Sequence, residues 1–299
     1  MHAVFAVEPR SIDNWKDFRY LIEKFGFHKG VLIARYPKKW MSLVLDACDA
    51  NNIGDVERLK VVEKLRQAKE DRMLNTPFPF DGGEWLENVN KPGVANIFDA
   101  LVLREDDANA HSYRLETMPE ELFDNRREME SLRDRESLAT VASRLFVDAI
   151  ELTLIDPYLK PSRACTHLLN SFIESSFSNG KGIKKLVIHM AFSKDESEPD
   201  EVIKNYKKYL GNKISDGLII QVNRWRDTAL EFDFHARYLL TEKAGIRYDR
   251  GFIEPSDHDE RAKKTDVVCI EPGTVDRLRL RYSVTNSADD IVDVIDIRG

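Results

Sequence analysis

The chain has little cysteine: Cys48, Cys165 and Cys269 are the only three in 299 residues. They are far apart in no metal-ligand spacing, and an odd number argues against a disulfide framework, so we read them as buried thiols. No apolar run approaches the roughly eighteen residues that a membrane span needs, and the first residues lack the basic start and apolar stretch of a secretion signal. The expectation is a cytoplasmic protein with no membrane span. There is no internal repeat and no low-complexity tract. Positive charge is not in excess either, since 45 Lys and Arg face 52 Asp and Glu for a net charge of -7. No global field therefore draws in nucleic acid, and any contact with phosphates has to come from a local basic patch.

What is present is the composition of a globular protein, 42% hydrophobic and 32% charged, in a chain long enough for two ordinary domains. Ser11 followed by Trp15, Phe18, Ile22 and Phe25 has the rhythm of an amphipathic helix capped by serine and stopped at Gly26. Residues 30–36, ended by Pro37, suit a strand. Trp40, Leu43, Val44 and Ala47 mark a second helix, and Val56, Leu59, Val62, Leu65 and Met73 place a third on one apolar face. The first part of the chain, residues 1–125, therefore reads as an α-rich α+β domain of unknown role. The loop Thr76–Gly83 carries Phe78 and Phe80 among breakers and reads as a hydrophobic clasp rather than a ligand site. Between Arg104 and Arg135 the sequence turns polar, and we set the domain boundary near Asn125.

Residues 126–299 alternate helices and strands. A helix around Leu138 to Phe146 runs into a strand at 150–156, and a helix from Ser162 to Phe177 into a strand at 185–192. A helix from Pro199 to Leu210 precedes strands at 218–222, 234–240 and 267–271. This alternation implies an α/β fold with a mostly parallel sheet covered on both faces.

Within the strand at 234–240, His235 and Arg237 are two residues apart, so both point to one side and present an imidazole and a guanidinium together. Glu242 follows five residues after Arg237. This segment resembles the phospholipase D superfamily signature, with Arg237 and Glu242 where the family has lysine and aspartate. The strand end Ile155-Asp156-Pro157-Tyr158-Leu159 is similar to the first strand of such domains. The stretches Gly245–Arg247 and Arg250–Phe252 resemble the continuation in single-copy bacterial members. The resemblance covers the C-terminal half and implies an α/β/α sandwich.

It also implies an activity. Phosphodiester cleavage needs a nucleophile for phosphorus, an acid for the leaving oxygen and positive charge against the non-bridging oxygens. His235 would attack, Arg237 would hold phosphate oxygens as a planar fork, and Glu242 would orient the imidazole or take a backbone contact. Tyr158, Arg247 and Arg250 would contact the substrate, with no metal and no cofactor required. The family's reaction uses two histidines. His2, His28, His111, His167, His189 and His258 all lack a basic residue two places on, so the second histidine is expected from another copy and a homodimer is implied. The expected function is a metal-independent nuclease in a bacterial defence or restriction setting, with nucleic acid and the proteins of a defence complex as partners. The alternative is a catalytically silent module of the same fold that binds nucleic acid, lipid headgroups or a partner protein. Asp156, before Pro157, reads as a turn former, and Lys204, Lys207, Lys208 and Lys213 as a solvated helix face.

Overall fold

The computed structural model describes residues 1–105, 111–124, 126–192, 198–211, 217–226, 237–286 and 288–298. The chain divides into two compact units, Met1–Arg127 and Glu128–Gly299.

The first unit holds strands β1 (Ala3–Val7), β2 (Val31–Arg35), β3 (Met73–Asn75), β4 (Ala100–Leu103) and β5 (Ser112–Arg114). They form one sheet in the order β3-β2-β1-β4-β5, with every pair parallel. This corrects the expectation of an α-rich α+β domain: the unit is α/β. β1 and β4 are buried along their whole length. Strands covered on both faces need a continuous apolar run, and so short a run carries no period to separate it from a piece of buried helix.

The helices are α1 (Trp15–Lys24), α2 (Trp40–Ala50), α3 (Asp55–Asp71) and the short α4 (Trp85–Val89). Asn14, not Ser11, caps α1: its side chain accepts from the Asp17 N–H at 3.0 Å, while Ser11 Oγ donates to the Glu8 carbonyl one turn earlier. The buried stripe of α3 is Val61, Leu65 and Ala68, whereas Val56 and Leu59 stand exposed and Met73 belongs to β3. Phe5, Val7, Ile33, Phe18, Trp40 and Leu65 meet in the core of this unit.

The second unit contains β6 (Glu128–Leu132), β7 (Glu151–Ile155), β8 (Lys185–Ala191), β9 (Ile219–Trp225), β10 (Arg237–Leu240), β11 (Gly245–Tyr248), β12 (Lys264–Cys269) and β13 (Ile291–Arg298). They form one sheet in the order β13-β9-β8-β7-β10-β11-β12-β6. Only β7-β8 and β8-β9 pair in parallel; the other neighbours are antiparallel. The expected mostly parallel sheet is thus a mixed one with a three-stranded parallel centre. The cause is local in one place: Thr241 N–H donates to the Ala244 carbonyl at 2.8 Å, closing a turn between β10 and β11 too short for a parallel crossover.

The helices of this unit are α5 (Arg135–Phe146), α6 (Arg163–Asn179), α7 (Pro199–Leu210), α8 (His258–Ala262) and α9 (Pro272–Arg281). Asp134 caps α5 through the Ser137 N–H, Ser162 caps α6 through the Cys165 N–H, and Pro199 opens α7 where its missing N–H costs nothing. Register sorts the sheet into two faces. Ile246, Leu239, Leu154, Ile188 and Val222 lie in one row on the first face. There the Tyr248 hydroxyl donates to the Leu138 carbonyl of α5 at 2.9 Å, and edge-on contacts link Phe146, Phe172, Phe252 and Tyr248. On the second face Ile155, Trp225 and Leu240 pack with Val275 and Tyr282 of the α9 region. All three cysteines are buried, and burial pushes the Cys48 thiol up to about 11. Among the described residues no helix is long and apolar enough to cross a membrane.

Candidate functional site

In open α/β sheets ligands collect at the carboxyl edge of the parallel strands, where loops and side chains are free of the ladder. In the second unit that edge carries Asp156, directly after β7, and Arg237, the first residue of β10. The antiparallel register pairs Tyr238 with Ile155 and so sets Arg237 opposite Asp156. Arg237 Nε stands 4.0 Å from Asp156 Oδ1, and its Nη1 donates to the Asp249 carbonyl at 3.1 Å. The guanidinium lies 5.4 Å from the centroid of the Tyr158 ring. A cation held in this way is preorganised, and at 23% side-chain exposure it can still meet a ligand.

Asp156 is almost fully buried, and each of its oxygens has a backbone donor: Tyr158 N–H on Oδ1 at 2.9 Å and Phe252 N–H on Oδ2 at 3.1 Å. The first contact is the turn expected of an aspartate before proline. Burial raises the carboxyl pKa above its ordinary value, against the pull of those two N–H groups and of Arg237. Gly251, at φ +81°, lets the following segment reach this carboxylate, since a Cβ there would sit 2.7 Å from Asp156 Oδ2 and 3.1 Å from Arg237 Nε.

The sequence-derived site residues divide among several places. His235 lies outside the described residues. Tyr158 joins Arg237 at the edge, and Arg250 follows Asp249 there, highly exposed with Nε 3.7 Å from the Asp249 carboxylate. Arg247 pairs with Tyr238 across the ladder, so it projects to the second face, away from Arg237. Glu242 is not brought to this edge. Its Oε1 accepts the backbone N–H groups of Ile150 and Glu151 at 3.0 and 2.8 Å, at the opposite end of β7. A backbone contact is one of its two expected roles; the other involves His235, outside the described residues.

Other polar groups of the second unit had no signal in the sequence. His189 on β8 is buried on the second face, where its Nδ1 accepts from Trp225 Nε1 at 3.1 Å and its ring contacts Tyr282. That hydrogen bond assigns the proton to Nε2, and burial, helped by Lys185, lowers the pKa to about 3, so the imidazole is neutral. With Asn223, Gln221 and Lys185 it lines a cavity of about 320 Å³ beside α9. His167 of α6 stands 3.6 Å from Glu254, three residues beyond Gly251, and its Nε2 accepts from Arg163 at 3.4 Å. Apart from Arg163, one helical turn from His167, these partners are 36 to 93 positions apart in sequence, which no local pattern reveals. Among the described residues no three His, Cys, Asp or Glu side chains are grouped to hold a metal ion. No family model matches the chain, and no curated protein matches it.

Proposed function

We propose that the second unit is a phospholipase-D-like phosphodiesterase acting on nucleic acid without a metal, in a bacterial defence or restriction setting with partner proteins. The observation that supports it best is the oriented Arg237 guanidinium at the carboxyl edge of the parallel strands, beside the ring of Tyr158 and near Arg250. In this reading Arg237 takes the non-bridging oxygens of a phosphodiester, and Tyr158 offers a face on which a base stacks. A His235 ring nitrogen attacks phosphorus, and the bond to the leaving oxygen breaks. That oxygen takes a proton from a second imidazolium supplied by another copy of the chain. Water then attacks the phosphohistidine, gives its proton to that second imidazole and regenerates His235. His189 does not serve as the second group on the same face, because the ladder turns it to the side opposite Arg237.

A second reading, a silent module that binds nucleic acid, draws on the Asp156 carboxylate at 4.0 Å from Arg237, which weakens the pull of that cation on an incoming phosphate. The deciding experiment incubates wild type and His235→Ala with labelled DNA and RNA in EDTA, with circular dichroism to verify folding and light scattering to give the mass. Cleavage by a wild-type dimer and none by the variant is the expected result. Equal cleavage by both removes His235 as nucleophile. Binding without cleavage by either selects the silent module, and cleavage by a strict monomer removes the shared site.

A further inference from the structure

We propose that the first unit, Met1–Arg127, binds a mononucleotide, a planar base carrying a single phosphate, at the carboxyl edge of its parallel sheet. This rests on that unit alone and is independent of the phosphodiesterase reading.

The strand order β3-β2-β1-β4-β5 runs outward from β1 in one direction and, after β3, crosses to continue through β4 on the other side. The reversal leaves a crevice beyond the ends of β1 and β4, the place where α/β sheets hold ligands. A cavity of about 540 Å³ lies there, bordered by Glu8 after β1 and Arg104 after β4. This is the size range of small-ligand pockets.

Its lining states the chemistry. Leu43 and Ala47 come from one side of α2, and Phe80 and Trp85 from the clasp loop and α4. The aromatic groups are fixed from behind: Trp85 Nε1 donates to the Tyr36 carbonyl at 3.0 Å, and the Phe80 and Tyr36 rings meet edge-on at 5.7 Å. The loop read from sequence as a structural clasp therefore also contributes a wall. Such a slot suits a flat ring.

Four carboxylates and three cations border the space, a balance that disfavours a polyphosphate or a nucleic-acid strand. Two of the carboxylates are engaged, since Glu8 accepts the Arg104 N–H at 2.9 Å and Asp13 stands 3.5 Å from the Arg104 guanidinium. Arg10 and Lys39 make no ion pair among the described residues, and Lys39 is the N-cap of α2, which has no side-chain cap. One phosphate satisfies both cations and adds the favourable end of the helix dipole. The segment Glu8–Asn14 contains no glycine, so its backbone does not form the close cradle that a dinucleotide's pyrophosphate requires. Asp46 and Glu84 remain at the border to accept from N–H groups of a base.

The test is calorimetric titration of the full chain with AMP, GMP, CMP and UMP, and with adenosine and inorganic phosphate as separate arms. At least one mononucleotide should bind, and adenosine or phosphate alone should bind about tenfold more weakly or worse. Ala47→Trp, which fills the slot, should abolish binding, and the surface double variant Arg10→Glu/Lys39→Glu should weaken it by roughly tenfold or more. Circular dichroism verifies that each variant is folded, and the double variant keeps the test open should the Trp variant misfold. The proposal is overturned if no mononucleotide binds wild type at millimolar concentration, if phosphate or adenosine alone binds as tightly as the nucleotide, or if a folded Ala47→Trp or a folded Arg10→Glu/Lys39→Glu binds like wild type.

Discussion

Acid should destabilise the second unit through one identifiable group. His189 is 3% exposed, keeps its Nδ1 as acceptor for Trp225 Nε1–H, and has a pKa lowered from 6.5 to about 3, chiefly by burial. In the unfolded chain the same imidazole titrates near its ordinary value, so between those two values the unfolded state holds a proton that the folded state refuses. Stability therefore falls as pH falls across that window, by about 1.4 kcal/mol per pH unit for a single group. From about pH 7.5 to about pH 5 the contribution of this histidine is on the order of 2 kcal/mol. His189→Gln retains an acceptor within reach of the indole but cannot titrate. Urea unfolding of both proteins at the two pH values, followed by circular dichroism and tryptophan fluorescence, gives the difference directly, since titrations elsewhere are common to both. Wild type should lose about 2 kcal/mol more than the variant. An equal loss in the two proteins would refute the neutral, buried imidazole.

Arg224 is buried over the Phe192 ring and paired with Asp293, Nε to Oδ1 at 2.7 Å, so Arg224→Ala should cost on the order of 3 kcal/mol in urea unfolding by stranding the carboxylate; no measurable loss would show that the pair is not held in solution. Gly251→Ala places a methyl against Asp156 and Arg237 at φ +81°, and should reduce nucleic-acid binding roughly tenfold or more with an unchanged circular dichroism spectrum, whereas full binding would remove Arg237 from the contact. Glu242→Ala removes the acceptor for two backbone N–H groups and should lower stability by about 1 kcal/mol while leaving any cleavage intact. A folded Glu242→Ala protein that no longer cleaves would return Glu242 to the site.

The parts of this protein that its sequence determined by itself are those set within a few neighbouring residues. The helix opened by Ser162 and the one opened by Pro199 are legible because cap, first-turn residues and apolar spacing lie within one or two turns. The strands at Glu151–Ile155 and Lys185–Ala191 are legible because branched apolar residues stand between breakers. Periodicity alone misplaced the buried stripe of α3, where the tertiary contacts select Val61 and Leu65 over Val56 and Leu59. It also passed over β1 and β4, whose apolar runs become strands only when both faces are covered.

Pairing was left to the tertiary structure. Whether β7, β8 and β9 run parallel depends on pairing between segments 34 residues apart, and the edge that Arg237 shares with Asp156 and the place of Glu242 at the other end of β7 depend on register between segments about eighty or more residues apart. Each backbone N–H and C=O in a sheet must find a partner, but the same group accepts many partners equally, so the choice is made by the packing of both faces at once. That is why the pair His235 and Arg237 could be read from the sequence as two residues on one side of a strand, whereas the carboxylate facing Arg237, the ring against it and the neutral imidazole on the opposite face appear only once the sheet is assembled.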